Sequence, residues 1–331
     1  MNKMKEAVRK NNLDLLRCFA LAGVFFLHFQ RNNVFHHYLA CWGTISVSLF
    51  IMLSGALVLT SETFPSYILW IKKTFFKLIV PWIISLILYI GEGLLFQFLH
   101  FRKMNVNDEL STLINIGYPE RGWHLWFMPV FICLYLLAPV LRKIKDYNKV
   151  FYYGTAFVLY ILFMCFDVSL PWWLGFVTKI SLFIMGDFCF TFLSNLQLNV
   201  KRIVKITYFC LVVILLMFSY LDYYDISYYG IFLTVTLQFL LYISFVFYCN
   251  INVKLKTYCI TKYFLWIYIL HIFVGDFWSA VSIRTGWDKH MEFWTILVDS
   301  VIVFVTTYLI CTVGNTIYLK VSKYIKNNQI Y

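Results

Sequence analysis

The sequence predicts an all-α fold, a single polytopic integral membrane domain of about ten transmembrane helices with the N- and C-termini both cytoplasmic. Three observations carry that prediction. Of the 331 residues, 61% are hydrophobic and only 13% are charged, a balance that ordinary soluble domains do not have. Apolar stretches of about twenty residues recur from one end of the chain to the other, each long enough to cross a hydrocarbon core. The Lys and Arg residues fall in short clusters between those stretches, and dense clusters alternate with sparse ones.

The first helix is expected over 13–32, after a basic start. Its apolar run is too long for a cleaved leader and carries Arg17 and His28, so it is expected to stay in the membrane. The second, over 40–60, contains SVSLFIMLSGALVLT from Ser46 to Thr60, and the third, over 75–99, opens within KKTFFKLIVPW, a basic cluster leading to Pro81, after an inner loop from Ser61 to Lys73. A long outward segment from about His100 to Trp123 separates it from the fourth, over 124–141, where the chain runs WHLWFMPVFICLYLLAPVL. Apolar runs between polar breaks give the next four, over 149–168, 171–194, 203–221 and 228–248. The ninth, over 261–281, contains YFLWIYILHIFV, and the tenth spans 292–318.

Charge orients this stack. With the N-terminus inside, twenty of the 28 Lys and Arg residues fall on the cytoplasmic side and six on the other, leaving Arg17 and Lys179 within helices. The net charge of +12 is therefore a topology signal and not a nucleic-acid footprint. The nine cysteines are scattered without a CxxC pair, which argues against a disulfide framework or a zinc site. No two histidines stand at i and i+4 beside a carboxylate, so no metal is expected.

The first helix holds the residues that carry chemistry. Asp14, Arg17 and His28 occupy a segment that otherwise belongs in lipid, where polar groups are costly and need an interior partner or a function. Arg17 and His28 are eleven residues apart, so they lie within about 20° of one another around the helix and about 16 Å apart along it. One reading is an interfacial Asp14–Arg17 ion pair with a packed histidine above it. The other is that Arg17 binds the phosphates of a cytoplasmic donor and His28 is a general base, the side chain best suited to accept a hydroxyl proton near neutral pH.

Five segments in order resemble the membrane-bound acyltransferase family 3, whose members acylate sugars and other hydroxyl-bearing acceptors. They are the Asp14–Arg17–His28 spacing, the second-helix segment ending in Ser54–Gly55, the basic cluster before Pro81, and the two segments holding His124 and His271. The family usually has arginines where this chain has Lys72, Lys73 and Lys77. The resemblance implies that His28, Arg17, Asp14, His271 and His124 are catalytic and that Arg17, Lys72, Lys73 and Lys77 bind the donor. That donor would be acetyl-CoA, the acceptor a glycan of the cell surface or its lipid-linked saccharide precursor, and the protein itself a multi-pass resident of the inner (cytoplasmic) membrane. His28 would either activate the acceptor hydroxyl for direct attack or hold the acetyl group briefly. The chain is similar to members without a fused extracellular domain.

Topology alone allows His28, His124 and His271 to meet in the outer half of one cavity, although an interfacial His124 and a satisfied core His271 are equally consistent with the sequence. Lys179, Asp187, Glu92 and Asp299 are further buried charges, for which structural pairing is the expectation. Trp42, Trp123, Trp126, Trp172 and Trp173 could stack on sugar or simply mark the membrane interfaces. A transporter or flippase of lipid-linked sugar is the competing class, and a non-catalytic scaffold or sensor is a third.

Overall fold

In hydrocarbon a chain must satisfy its own backbone polar groups, and the regular elements found are accordingly helical. The structure is a computed structural model that describes residues 2–28, 34–61, 65–99, 124–165, 172–192, 198–223, 237, 240–247, 258–287 and 293–328. In chain order the helices are α1 (Asn2–His28), α2 (Val34–Leu59), α3 (Tyr67–Thr74), α4 (Val80–Phe98), α5 (Phe127–Tyr147), α6 (Lys149–Cys165), α7 (Trp172–Phe192), α8 (Leu198–Tyr223), α9 (Tyr258–Thr261), α10 (Phe264–Thr285) and α11 (Phe293–Asn328).

Among the described residues, six helical stretches are long and apolar enough to cross a membrane: 37–59, 67–98, 124–147, 202–221, 264–285 and 297–318. They coincide with six of the expected spans. The other four, 13–32, 149–168, 171–194 and 228–248, each run partly outside the described residues. The cytoplasmic loop expected up to Lys73 is helical from Tyr67 onward, because α3 and α4 form one rod joined by a π-helical turn over Phe75–Ile79. In that turn Val80 N–H reaches back to Phe75 C=O, one residue further than an α-helix would. Pro81 follows at once and has no N–H to give, so the ladder is already one bond short there and a widened turn costs little.

Helix α2 is the hub, packed by α1, α5, α7, α8 and α11. Small residues let it come close. A Cβ built on Gly55 would run into the Phe183 carbonyl, and one on Gly186 into the Met52 carbonyl, so α2 and α7 cross with their backbones in contact. Gly23 and Gly43 do the same for α1 and α2, since a Cβ on Gly43 would lie 2.6 Å from the Gly23 carbonyl. Helix α10, packed on α4, α1 and α11, stops at Gly286, whose φ of 73° only glycine adopts freely.

Within this frame Asp187, one of the four buried charges singled out by the sequence, forms an ion pair. Asp187 on α7 is fully buried and lies 2.8 Å from Lys145 Nζ, and Tyr153 and Thr191 also donate to it. Lys145 donates in addition to the Leu59 carbonyl at the end of α2. Lys179 instead sits over the Trp126 ring, 5.9 Å from its centroid. Asp299 accepts indole N–H bonds from Trp278 and Trp287, each 2.9 Å. Glu92 is buried on the inner face of α4.

Candidate active site

Three helical segments, distant in sequence, deliver one histidine each to the same place. His28 is the last residue of α1, His124 opens the turn that leads into α5, and His271 lies in the third turn of α10. Their ring centroids are 5.0 Å apart for His28 and His271, 5.3 Å for His124 and His271, and 6.1 Å for His28 and His124. His271 and His124 are buried, at 0% and 1% exposure, whereas His28 is half-buried.

The surrounding side chains follow from helical spacing. On α4 the buried stripe Pro81, Ser85, Tyr89, Glu92, Phe96 recurs every three or four residues and turns Tyr89 toward the histidines, with its ring 5.0 Å from that of His124. On α1 Phe25 precedes His28 by three residues, so it lies on the same face and contacts the His271 ring at 5.2 Å. On α10 Tyr268 precedes His271 by three and donates its hydroxyl to the His124 carbonyl over 3.0 Å. That bond ties the His124 turn to the helix that carries His271.

Arg17 lies about three turns below His28 on α1 and is held by Asp14, with 2.6 Å between Nη1 and Oδ1. The ion pair expected at i and i+3 therefore forms, and Arg17 remains partly exposed. The contact engages one nitrogen of a guanidinium that has five N–H donors. Lys72, Lys73 and Lys77 are exposed on α3 and the π turn, which pack on α5, while α1 packs on α2, α9, α10 and α11. Trp70 secures that segment by donating to the Tyr135 carbonyl over 2.6 Å while stacking on its ring. The lysines form a cationic patch on a different flank of the bundle from Arg17.

A cavity of about 210 Å³ runs along α1 between the level of Arg17 and that of His28, lined by Cys18, Leu21, Ala22, Phe25 and Phe26 and closed by α11. Its walls are apolar apart from the hydroxyl of Ser300 and the thiol of Cys18. Phe25 is shared between this cavity and the histidine cluster. Trp123 lies outside the described residues, as do the side chains of Trp42, Trp172 and Trp173, and Trp126 contacts Lys179.

Sequence reasoning singled out the three histidines but not Tyr89 or Tyr268. A signal was present, since tyrosines collect at membrane interfaces and both of these fall in the middle of apolar runs, where a hydroxyl must find an internal partner.

A family model described as an acyltransferase domain matches residues 10–315, an interval that contains Asp14, Arg17 and all three histidines. Neither the curated proteins nor the solved structures give a match.

Proposed function

Because the chain belongs to acyltransferase family 3 and is a multi-pass membrane protein of that family, we propose that it is an O-acetyltransferase of the cytoplasmic membrane. It carries acetyl from acetyl-CoA to a sugar hydroxyl of a surface glycan or its lipid-linked precursor. The observation that carries the reading is the convergence of His28, His124 and His271, with ring centroids 5.0–6.1 Å apart at the end of a helix whose inner part bears Arg17. The chain crosses the bilayer ten times with both termini inside, so that Arg17 faces the compartment that makes acetyl-CoA and His28 faces the acceptor.

The donor is a polyanion, and the exposed patch of Lys72, Lys73 and Lys77 raises its concentration at the inner surface. Arg17 then binds the phosphates with the N–H groups that Asp14 leaves unused. The acceptor hydroxyl gives its proton to His28 while its oxygen attacks the thioester carbonyl carbon. As the resulting oxyanion collapses the C–S bond breaks, and the departing thiolate recovers the proton from His28. The products are an O-acetyl ester and free CoA.

The test is CoA release from acetyl-CoA by detergent-purified protein with cell-envelope glycan as acceptor. Release by the native protein and its loss in His28→Ala support the reading. A carrier of lipid-linked sugar has no reason to release CoA, so absence of release together with absence of donor binding overturns it. Incubation with acetyl-labelled donor in the absence of acceptor leaves the protein unlabelled if transfer is direct and labels His28 if it is not.

A further inference from the structure

Tyr89 bridges one turn of α10 at the level of His271. Its hydroxyl donates to the Ile269 carbonyl over 2.8 Å and accepts from the Phe273 N–H over 3.1 Å. Residues 269 and 273 are the acceptor and donor of one i to i+4 step, so the phenol oxygen sits beside the helix's own ladder on the turn that carries His271. The same oxygen lies 3.1 Å from His124 Nε2.

A phenol has one proton, and the Ile269 carbonyl, which can only accept, takes it. The contact with His124 is therefore attractive only if Nε2 carries the hydrogen and the phenol oxygen accepts it. A second contact agrees, because His124 Nε2 also lies 3.4 Å from the Ile269 carbonyl. A bare Nε2 would face two oxygen lone pairs there. A ring protonated on Nε2 carries its lone pair on Nδ1.

The same reasoning assigns His271. Its Nδ1 lies 2.6 Å from the Tyr268 carbonyl and so is the N–H, which leaves the lone pair on Nε2. That nitrogen is buried and meets no hydrogen-bond partner among the described residues.

We propose that Tyr89 is a positioning residue that holds His124 as its Nε2–H tautomer, so that the basic nitrogen of His124 is Nδ1, as that of His271 is Nε2. A fixed tautomer beside His28, whose ring centroid is 6.1 Å from that of His124, keeps one electrostatic environment around the histidine that gains a proton. The part that concerns turnover rests on the acyltransferase reading, and the tautomer assignment does not.

The experiment is nitrogen NMR of protein labelled with ¹⁵N-histidine, comparing native protein with Tyr89→Phe and assigning His124 by its loss in His124→Gln. Removing only the hydroxyl preserves the ring, and Phe273 N–H and Ile269 C=O can then pair with one another, so the helix keeps its bonds. The native protein is expected to show His124 unprotonated at Nδ1, and Tyr89→Phe to show a mixture of tautomers. CoA release should fall about tenfold in kcat, the worth of one hydrogen bond, with the donor KM unchanged. A native His124 protonated on Nδ1, or a Tyr89→Phe variant that loses turnover with its tautomer unaltered, overturns the proposal. The expected tautomer change in a protein that releases no CoA upholds the Tyr89 assignment and refutes the acyltransfer reading instead.

Discussion

His28 closes α1 with its ring 5.0 Å from that of His271, and Arg17 and Asp14 sit further down the same helix. These three separate by kinetics. Replacing His28 with alanine should lower turnover by about a hundredfold or more while leaving the protein inserted, because a general base is lost and no charge pair is broken. Arg17→Ala should instead raise the KM for acetyl-CoA with kcat largely kept, since a phosphate contact binds donor and transition state alike. Asp14→Asn leaves the guanidinium in place and should raise that KM less than Arg17→Ala does. Steady-state CoA release with varied donor measures all three. The spacing of Asp14, Arg17 and His28 is visible in the sequence because one helix carries all of them, and 100° per residue is a local rule. Tyr89 was not legible in the same way, for its partners are His124, Ile269 and Phe273, up to 184 residues away.

Between helices the decisive contacts involve small residues and one buried ion pair. Gly55 and Gly186 stand where α2 and α7 touch backbone to backbone, so Gly55 of the Ser-Gly pair has a packing role independent of any chemistry. Gly186→Ala must push the helices apart and should destabilise the protein by about 1–3 kcal/mol, the cost of overpacking a filled core. Thermal unfolding in detergent, followed by tryptophan fluorescence, reads that loss. The Lys145–Asp187 pair joins α5 to α7 and, through the Leu59 carbonyl, to the end of α2. Lys145→Met strands a fully buried carboxylate and should cost about 3–5 kcal/mol, whereas the double variant Lys145→Met, Asp187→Leu should recover much of it. The same unfolding measurement decides, and a double variant no more stable than the single one would contradict the pairing.

At the scale of the whole molecule these contacts join the helices into one bundle around α2. If the charge distribution sets ten crossings, a reporter fused after Asn148 should be cytoplasmic and one after Gly286 should lie outside, and enzymatic reporters specific to each compartment read this directly. Hydropathy located the six spans that lie among the described residues, because it is a property of a short stretch and its nearest flanks. The helix starting at Tyr67 departs from the expected loop for a local reason of another kind, since a basic segment can stay helical when Trp70 and its neighbours pack on α5. Candidate residues in single segments were equally legible. Which of them meet depends on how segments far apart in the chain pack, and small residues set that packing where α2 meets α1 and α7. The sequence permitted Asp187 many partners, and packing chose Lys145. It permitted three histidines to lie apart in lipid, at an interface or in a core, and only the meeting of the end of α1, the turn before α5 and α10 brings their rings within 5.0–6.1 Å.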